Sequence, residues 1–145
     1  MGKAAVKRDG CPDRRPVLLG RVSLSNGSVE RLTVPLSRPL GEFREIIVET
    51  SNMRCVREEG RNAGIFDASG GWIGDVYLYH RDSTDGADYI STLLLNKVTG
   101  RGVAISHASS SQIHSARVDL SSMEISLYAS TGNIHTGTVE VYGIE

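Results

Sequence analysis

Arg31-Leu32-Thr33-Val34-Pro35-Leu36 places Leu32, Val34 and Leu36 on one face of an extended chain and Arg31 and Thr33 on the other. This period of two marks a half-buried strand, because successive side chains on a strand point to opposite faces. Pro35 has no N–H to give to a ladder, so this strand is expected to run along a sheet edge or end there. Met123-Glu124-Ile125-Ser126-Leu127 repeats the alternation. Outward from these two segments the same signal recurs. Residues 17–24 close on Ser25-Asn26-Gly27, an Asn-Gly pair of the kind that turns a hairpin. Residues 43–50 centre on Ile46, Ile47 and Val48, and a shorter strand begins at Met53, Cys55 and Val56 before a charged loop at 57–62. Residues 72–80 and 89–95 follow, separated by a polar loop, and then 102–107, 112–120, 123–129 and 138–144. No long apolar stripe at i, i+3, i+4, i+7 interrupts them. The expectation is an all-β chain, a β-sandwich or jelly roll of about 8–11 antiparallel strands.

Composition fits that class. At 145 residues, 39% of them hydrophobic, the chain suits one core rather than two. Sixteen glycines against four prolines suit tight turns between short strands. A formal charge of −1 argues against a partner recruited by bulk electrostatics, so neither nucleic acid nor insertion into a membrane is expected. No apolar run approaches the roughly 20 residues of a membrane span, and the start carries charge without the apolar stretch of a secretion signal. Val6 stands where a myristoylated start carries Ser or Thr. Cys11 and Cys55 form no metal-type pair, and whether they join in a disulfide is open.

Residues 1–16 read differently from the rest. Lys3, Lys7, Arg8, Arg14 and Arg15 stand there against Asp9 and Asp13, with Gly10, Pro12 and Pro16 as breakers. They form a basic arm, either frayed or docked on a partner, ahead of a domain at 17–145. Of 16 basic and 17 acidic residues, the arm takes five and two, which leaves a mildly acidic body.

Chemistry-bearing patterns are sparse. His80, His107, His114 and His135 form neither HxH nor HExxH, although His107 and His114 fall near the ends of adjacent strands. Asp82, Asp85 and Asp88 surround a glycine, but their spacing is that of a turn and not of a calcium loop. There is no Gly-x-Ser-x-Gly elbow, and Cys55 alternates with apolar neighbours as a core residue does. Asp75 is the one acid set among apolar strand residues, and it is read as pointing outward on the face of Ile73 and Tyr77. A hydrolase built on Asp75 and a histidine is the weakest of three readings. No catalytic residue, metal or cofactor is therefore expected. A binding surface is the better reading. Trp72, Tyr77, Tyr79 and Tyr89 are polar-tipped aromatics able to stack on a sugar or anchor an interface, as are Tyr128 and Tyr142. This makes a monomeric carbohydrate-binding module, with Trp72 and its neighbouring tyrosines as the platform, the main alternative to a structural role.

Two further stretches carry a resemblance. Leu36-Ser37-Arg38-Pro39-Leu40-Gly41-Glu42-Phe43-Arg44-Glu45-Ile46-Ile47-Val48 and Thr138-Val139-Glu140-Val141-Tyr142-Gly143-Ile144 resemble β-sandwich domains of tailed-bacteriophage tail and fibre proteins. The resemblance implies a non-enzymatic virion protein made in the host cytoplasm. Its implied partners are further copies of itself, other virion proteins and a host-surface glycan. Fibre domains usually follow a long stalk. The short basic arm thus favours a small decoration or collar subunit, with the arm as its attachment device.

Overall fold

The computed structural model describes residues 15–84, 87–107, 111–130 and 133–145. The strands are β1 (Val17–Leu24), β2 (Arg31–Pro35), β3 (Glu45–Cys55), β4 (Arg61–Phe66), β5 (Trp72–Leu78), β6 (Ala87–Leu95), β7 (Arg101–His107), β8 (Ser111–Arg117), β9 (Glu124–Tyr128) and β10 (Ile134–Ile144). Six form one sheet in the order β1-β10-β3-β6-β7-β8, and four form a second in the order β2-β9-β4-β5. Every ladder is antiparallel. The chain is a β-sandwich, with β5 lying across β3, β6, β7 and β8 and β2 lying across β1 and β10.

The alternating segments pair with one another. Leu32 stands opposite Leu127 and Val34 opposite Ile125, so the two inward rows of β2 and β9 become one apolar strip. β2 is an edge strand, and Pro35 is its last residue, where its missing N–H costs the ladder least. The strip shares one core with Ile46, Met53 and Ile134 of the other sheet and with Phe43 from the connection ahead of β3, all fully buried. Phe43 lies against Gly143, where a Cβ would collide with its ring. Stretches 36–48 and 138–144 are therefore neighbours, with Val48 paired to Val141 and Ile46 to Gly143. Arg38 fastens the corner by bridging Glu42 at 2.6 Å and Glu145 at 2.9 Å while stacking on Phe43.

Four details depart from the sequence reading. Residues 45–55 are one strand rather than two, because Asn52 takes a left-handed φ of 56° in a bulge that bends the ladder without ending it. Gly137 lies against the Met53 side chain at this bend, where no Cβ would fit. β4 begins inside the expected charged loop, for only Ala63 and Ile65 need face inward once β5 and β9 flank it. β8 ends at Arg117, short of the expected 120. Ile73 and Asp75 do not share a face. Ile65 pairs with Gly74 and Phe66 with Trp72, so Ile73 is an extra, buried residue, and the outward set becomes Trp72, Asp75 and Tyr77.

Candidate functional site

The four aromatics singled out in the sequence fall into two groups. Trp72 opens β5 and Tyr77 stands five residues on, about 16 Å along a strand. The Trp72 indole N–H donates to Asp75 Oδ1 at 3.2 Å, and the ring meets His114 edge-on at 4.9 Å between centroids. Both its polar tip and its ring thus have partners within the protein. Asp75 is tied down by its backbone as well, its N–H donating to Ser106 Oγ at 3.0 Å. It makes no hydrogen bond to a histidine among the described residues. His114 Nε2 instead lies 2.6 Å from Gln112 Oε1, and His135 Nδ1 lies 2.9 Å from the Gly27 carbonyl.

Tyr77, Tyr79 and Tyr89 do come together. The ring of Tyr77 meets Tyr79 at 5.7 Å and Tyr89 at 6.2 Å, both edge-to-face, the arrangement the ring quadrupole prefers. Burial, reinforced by the two neighbouring phenols, pushes the Tyr89 phenol above its ordinary value, so it stays neutral. Beside this cluster the bulge at Thr50–Met53 parts β3 from β6. An open groove of about 460 Å³ lies there, lined by Glu49, Thr50, Ser51, Asp88, Tyr89 and Ile90. Asp88 is held at its rim by the Asn52 N–H at 2.8 Å, and Arg54 reaches Asn52 Oδ1 at 2.7 Å. Phenol rings beside carboxylate and hydroxyl groups can bind a polyhydroxylated ligand by stacking and hydrogen bonding.

A third feature escaped the residue-by-residue reading. Cross-strand partners share a face of their sheet. Ile113, Ile105, Thr92, Ile47, Tyr142 and Leu18 are successive partners across all six strands of the larger sheet, on the face turned away from the core. Val103, Leu94, Glu45 and Ile144 stand in the row on one side of it, and Ile90, Glu49 and Glu140 in the row on the other. Exposure reaches 73% at Ile113, 49% at Leu18, 48% at Ile90, 43% at Leu94 and 39% at Val103. Exposed apolar side chains this numerous are uncommon on a sheet face open to solvent, although Glu45, Glu49 and Glu140 break the field. Tyr89-Ile90-Ser91-Thr92-Leu93-Leu94-Leu95 held the signal, since Ile90 and Leu94 are apolar at positions opposite in phase to Leu93 and Leu95.

The other candidates separate. His114 pairs with Ala104 and His107 with Ser111, three residues apart along β7. Asp82 pairs with Arg81 while Asp88 serves Asn52, and Asp85 lies outside the described residues. No cluster of metal-ligating side chains occurs among the described residues. No described helix is long and apolar enough to cross a membrane. Cys55 is buried, its thiol donating to the Glu59 carbonyl. Lys3, Lys7, Arg8, Arg14 and Cys11 lie outside the described residues; Arg15 is described and exposed. Comparison with protein-family models and with curated proteins finds no match.

Proposed function

We propose that the protein is a non-enzymatic structural subunit of a tailed-phage particle, of the decoration, collar, tail or fibre kind, that works by docking. The exposed apolar face of the six-stranded sheet carries the docking part of this reading. A chain that only had to fold would place Thr, Lys or Glu at the positions of Ile90, Leu94 and Ile113. The likeness of residues 36–48 and 138–144 to phage sandwich domains supports the particle part, and these stretches form the paired β3 and β10 at the middle of that sheet. Mass spectrometry of particles purified from the lysate of a phage encoding the chain tests it. The chain is expected in many copies per particle; finding it only in the particle-free supernatant overturns the reading.

The tyrosine cluster beside its groove favours a second reading, a sugar-binding module. A glycan array probed with wild type, Tyr77→Ala and Tyr89→Ala decides it. Loss of a wild-type signal in both variants supports the module, and an empty array or an unchanged signal removes it.

A further inference from the structure

We infer that Asn26 is a site of spontaneous deamidation, and that a hydrogen-bonded clamp between Gly27 and His135 sets its rate. Asn26-Gly27 does not close the hairpin its sequence suggests. β1 belongs to the six-stranded sheet and β2 to the four-stranded one, so residues 25–30 cross between the sheets. Asn26 is exposed on this crossing, and its side-chain amide makes no hydrogen bond among the described residues. The other asparagines of the chain differ. Asn52 accepts from Arg54, Asn96 caps the Val98 and Thr99 N–H groups, Asn133 donates to Ser28, and Asn62 is held in the β4–β5 ladder. Asn26 is also the one asparagine followed by glycine, whose missing Cβ leaves its backbone nitrogen free to approach the preceding side chain.

The Gly27 nitrogen, once base has taken its proton, attacks Asn26 Cγ. The N–Cγ bond forms, the Cγ–Nδ2 bond breaks, and Nδ2 leaves as ammonia. Water then opens the ring. Cleavage at Cγ leaves aspartate, and cleavage at the backbone carbonyl carbon leaves isoaspartate, whose main chain is one carbon longer. Either product adds one negative charge to a chain of formal charge −1. In the folded chain the attacking nitrogen is occupied, because its N–H donates to the His135 carbonyl at 2.9 Å. His135 answers through its ring, Nδ1 lying 2.9 Å from the Gly27 carbonyl. Val29 and Ile134 exchange both backbone hydrogen bonds, at 3.1 and 2.7 Å, and Asn133 Nδ2 donates to Ser28 Oγ at 3.0 Å. Leu24 packs over Gly27 where a Cβ would sit. Residues 27–29 are thus zipped to 133–135, and Asn26 stands just outside the zipped stretch. Ring closure must wait until the Gly27 N–H leaves its acceptor, so local opening limits the reaction. The longer main chain of isoaspartate then falls between two anchored points, Leu24 on Gly137 and Gly27 on His135, and one of them must shift.

Peptide mapping of the full chain after incubation in mildly alkaline buffer tests this. Trypsin releases the site in the peptide Val22–Arg31, and that peptide incubated by itself gives the rate without the clamp. Wild type is expected to gain both aspartate and isoaspartate at residue 26, about tenfold or more below the free-peptide rate, since two hydrogen bonds hold the attacking unit. His135→Ala removes the ring contact and keeps the backbone one. It is expected to speed conversion about fivefold, and hydrogen exchange at the Gly27 amide with it, with the circular dichroism spectrum unchanged. No conversion at residue 26 in either protein, over a period in which the peptide converts completely, overturns the site. Wild type converting as fast as the peptide overturns the clamp. So does a variant that exchanges the Gly27 proton faster without converting faster. Hydrogen exchange on wild type supplies a check that needs no variant, because a Gly27 amide without protection removes the clamp by itself.

Discussion

Replacing Asp67 with Ala should be among the most destabilising single changes outside the apolar core. Asp67 is 5% exposed, and its carboxylate accepts three backbone hydrogen bonds. Oδ1 takes the N–H of Ser69 at 3.0 Å and of Gly71 at 2.8 Å, closing the β4–β5 turn. Oδ2 takes the N–H of Asp119 at 2.8 Å, tying that turn to the β8–β9 connection more than fifty residues away. A hydrogen bond to a charged group contributes about 1.5–3 kcal/mol, and a donor left unpaired away from water costs a similar amount. Ser69 is exposed, so water can replace its bond, which leaves two bonds to count. The expected loss is about 3–5 kcal/mol, a large part of the total stability of a domain this size. Asp67→Asn keeps the acceptor for the turn but turns an N–H₂ toward the Asp119 N–H, so its cost should be about half. Urea unfolding followed by fluorescence and circular dichroism measures both, with an unchanged denaturant slope as the check on two-state behaviour. A loss below about 1 kcal/mol for Ala, or equal losses for Ala and Asn, would refute the hydrogen-bond account.

Three further outcomes follow from the same structure. A Cβ at Gly74 would lie 2.5 Å from Ser91 Oγ, itself bonded to Ser106 in the core, so Gly74→Ala should cost about 1–3 kcal/mol in urea unfolding. Adding Ser91→Ala should recover part of that, and strictly additive losses would argue against the collision. Hydrogen bonds from the Ser69 and Ser121 hydroxyls hold the Asp119 carboxyl below the ordinary carboxylate value. Its stabilisation is therefore present above the unfolded value and lost as pH falls through the depressed one. Thermal stability should fall on acidification below about pH 4, and Ser69→Ala should flatten that dependence; an identical acid limb in the variant would contradict it. With Cys11 replaced by Ala, the buried Cys55 thiol should react with a disulfide reagent only as fast as the protein opens, and rapid labelling in native buffer would show it accessible.

Which parts of this molecule were legible in its sequence follows from what period two does and does not encode. Alternation at 31–36 and 123–127 identified two half-buried strands and their inward residues. It could not say that these strands are neighbours, since pairing is decided by the whole chain. Bulges were invisible for a related reason. One extra residue at Ile73 shifts the phase of β5, and only the ladder with β4 reveals it. Ser51-Asn52 looked like a break because polar residues there end the apolar run, yet Asn tolerates the left-handed conformation that carries the strand through its bend. β4 was missed because Arg61, Asn62 and Gly64 dilute its pattern. The sequence singled out the aromatic residues but not how they group. Tyr89 reaches Tyr77 from the other sheet, while Trp72, nearer in sequence, stands far along the strand beside His114.

The outward face of β6 sets the assembly reading apart from a pure folding explanation. On its inward face Leu93 and Leu95 are buried, and any polar replacement there would unfold the sandwich. On its outward face Ile90 and Leu94 sit half exposed, with only lateral neighbours such as Thr92 and Val103 to touch. Strand propensity cannot account for them, because Thr is also a good strand former and carries no aggregation hazard on a sheet open to solvent. The same holds at Ile113, on an edge strand, where apolar exposure is the greatest liability and a lysine is the usual protection. Apolar side chains at all of these positions are therefore a cost to the isolated subunit. That cost is relieved only when the face is covered.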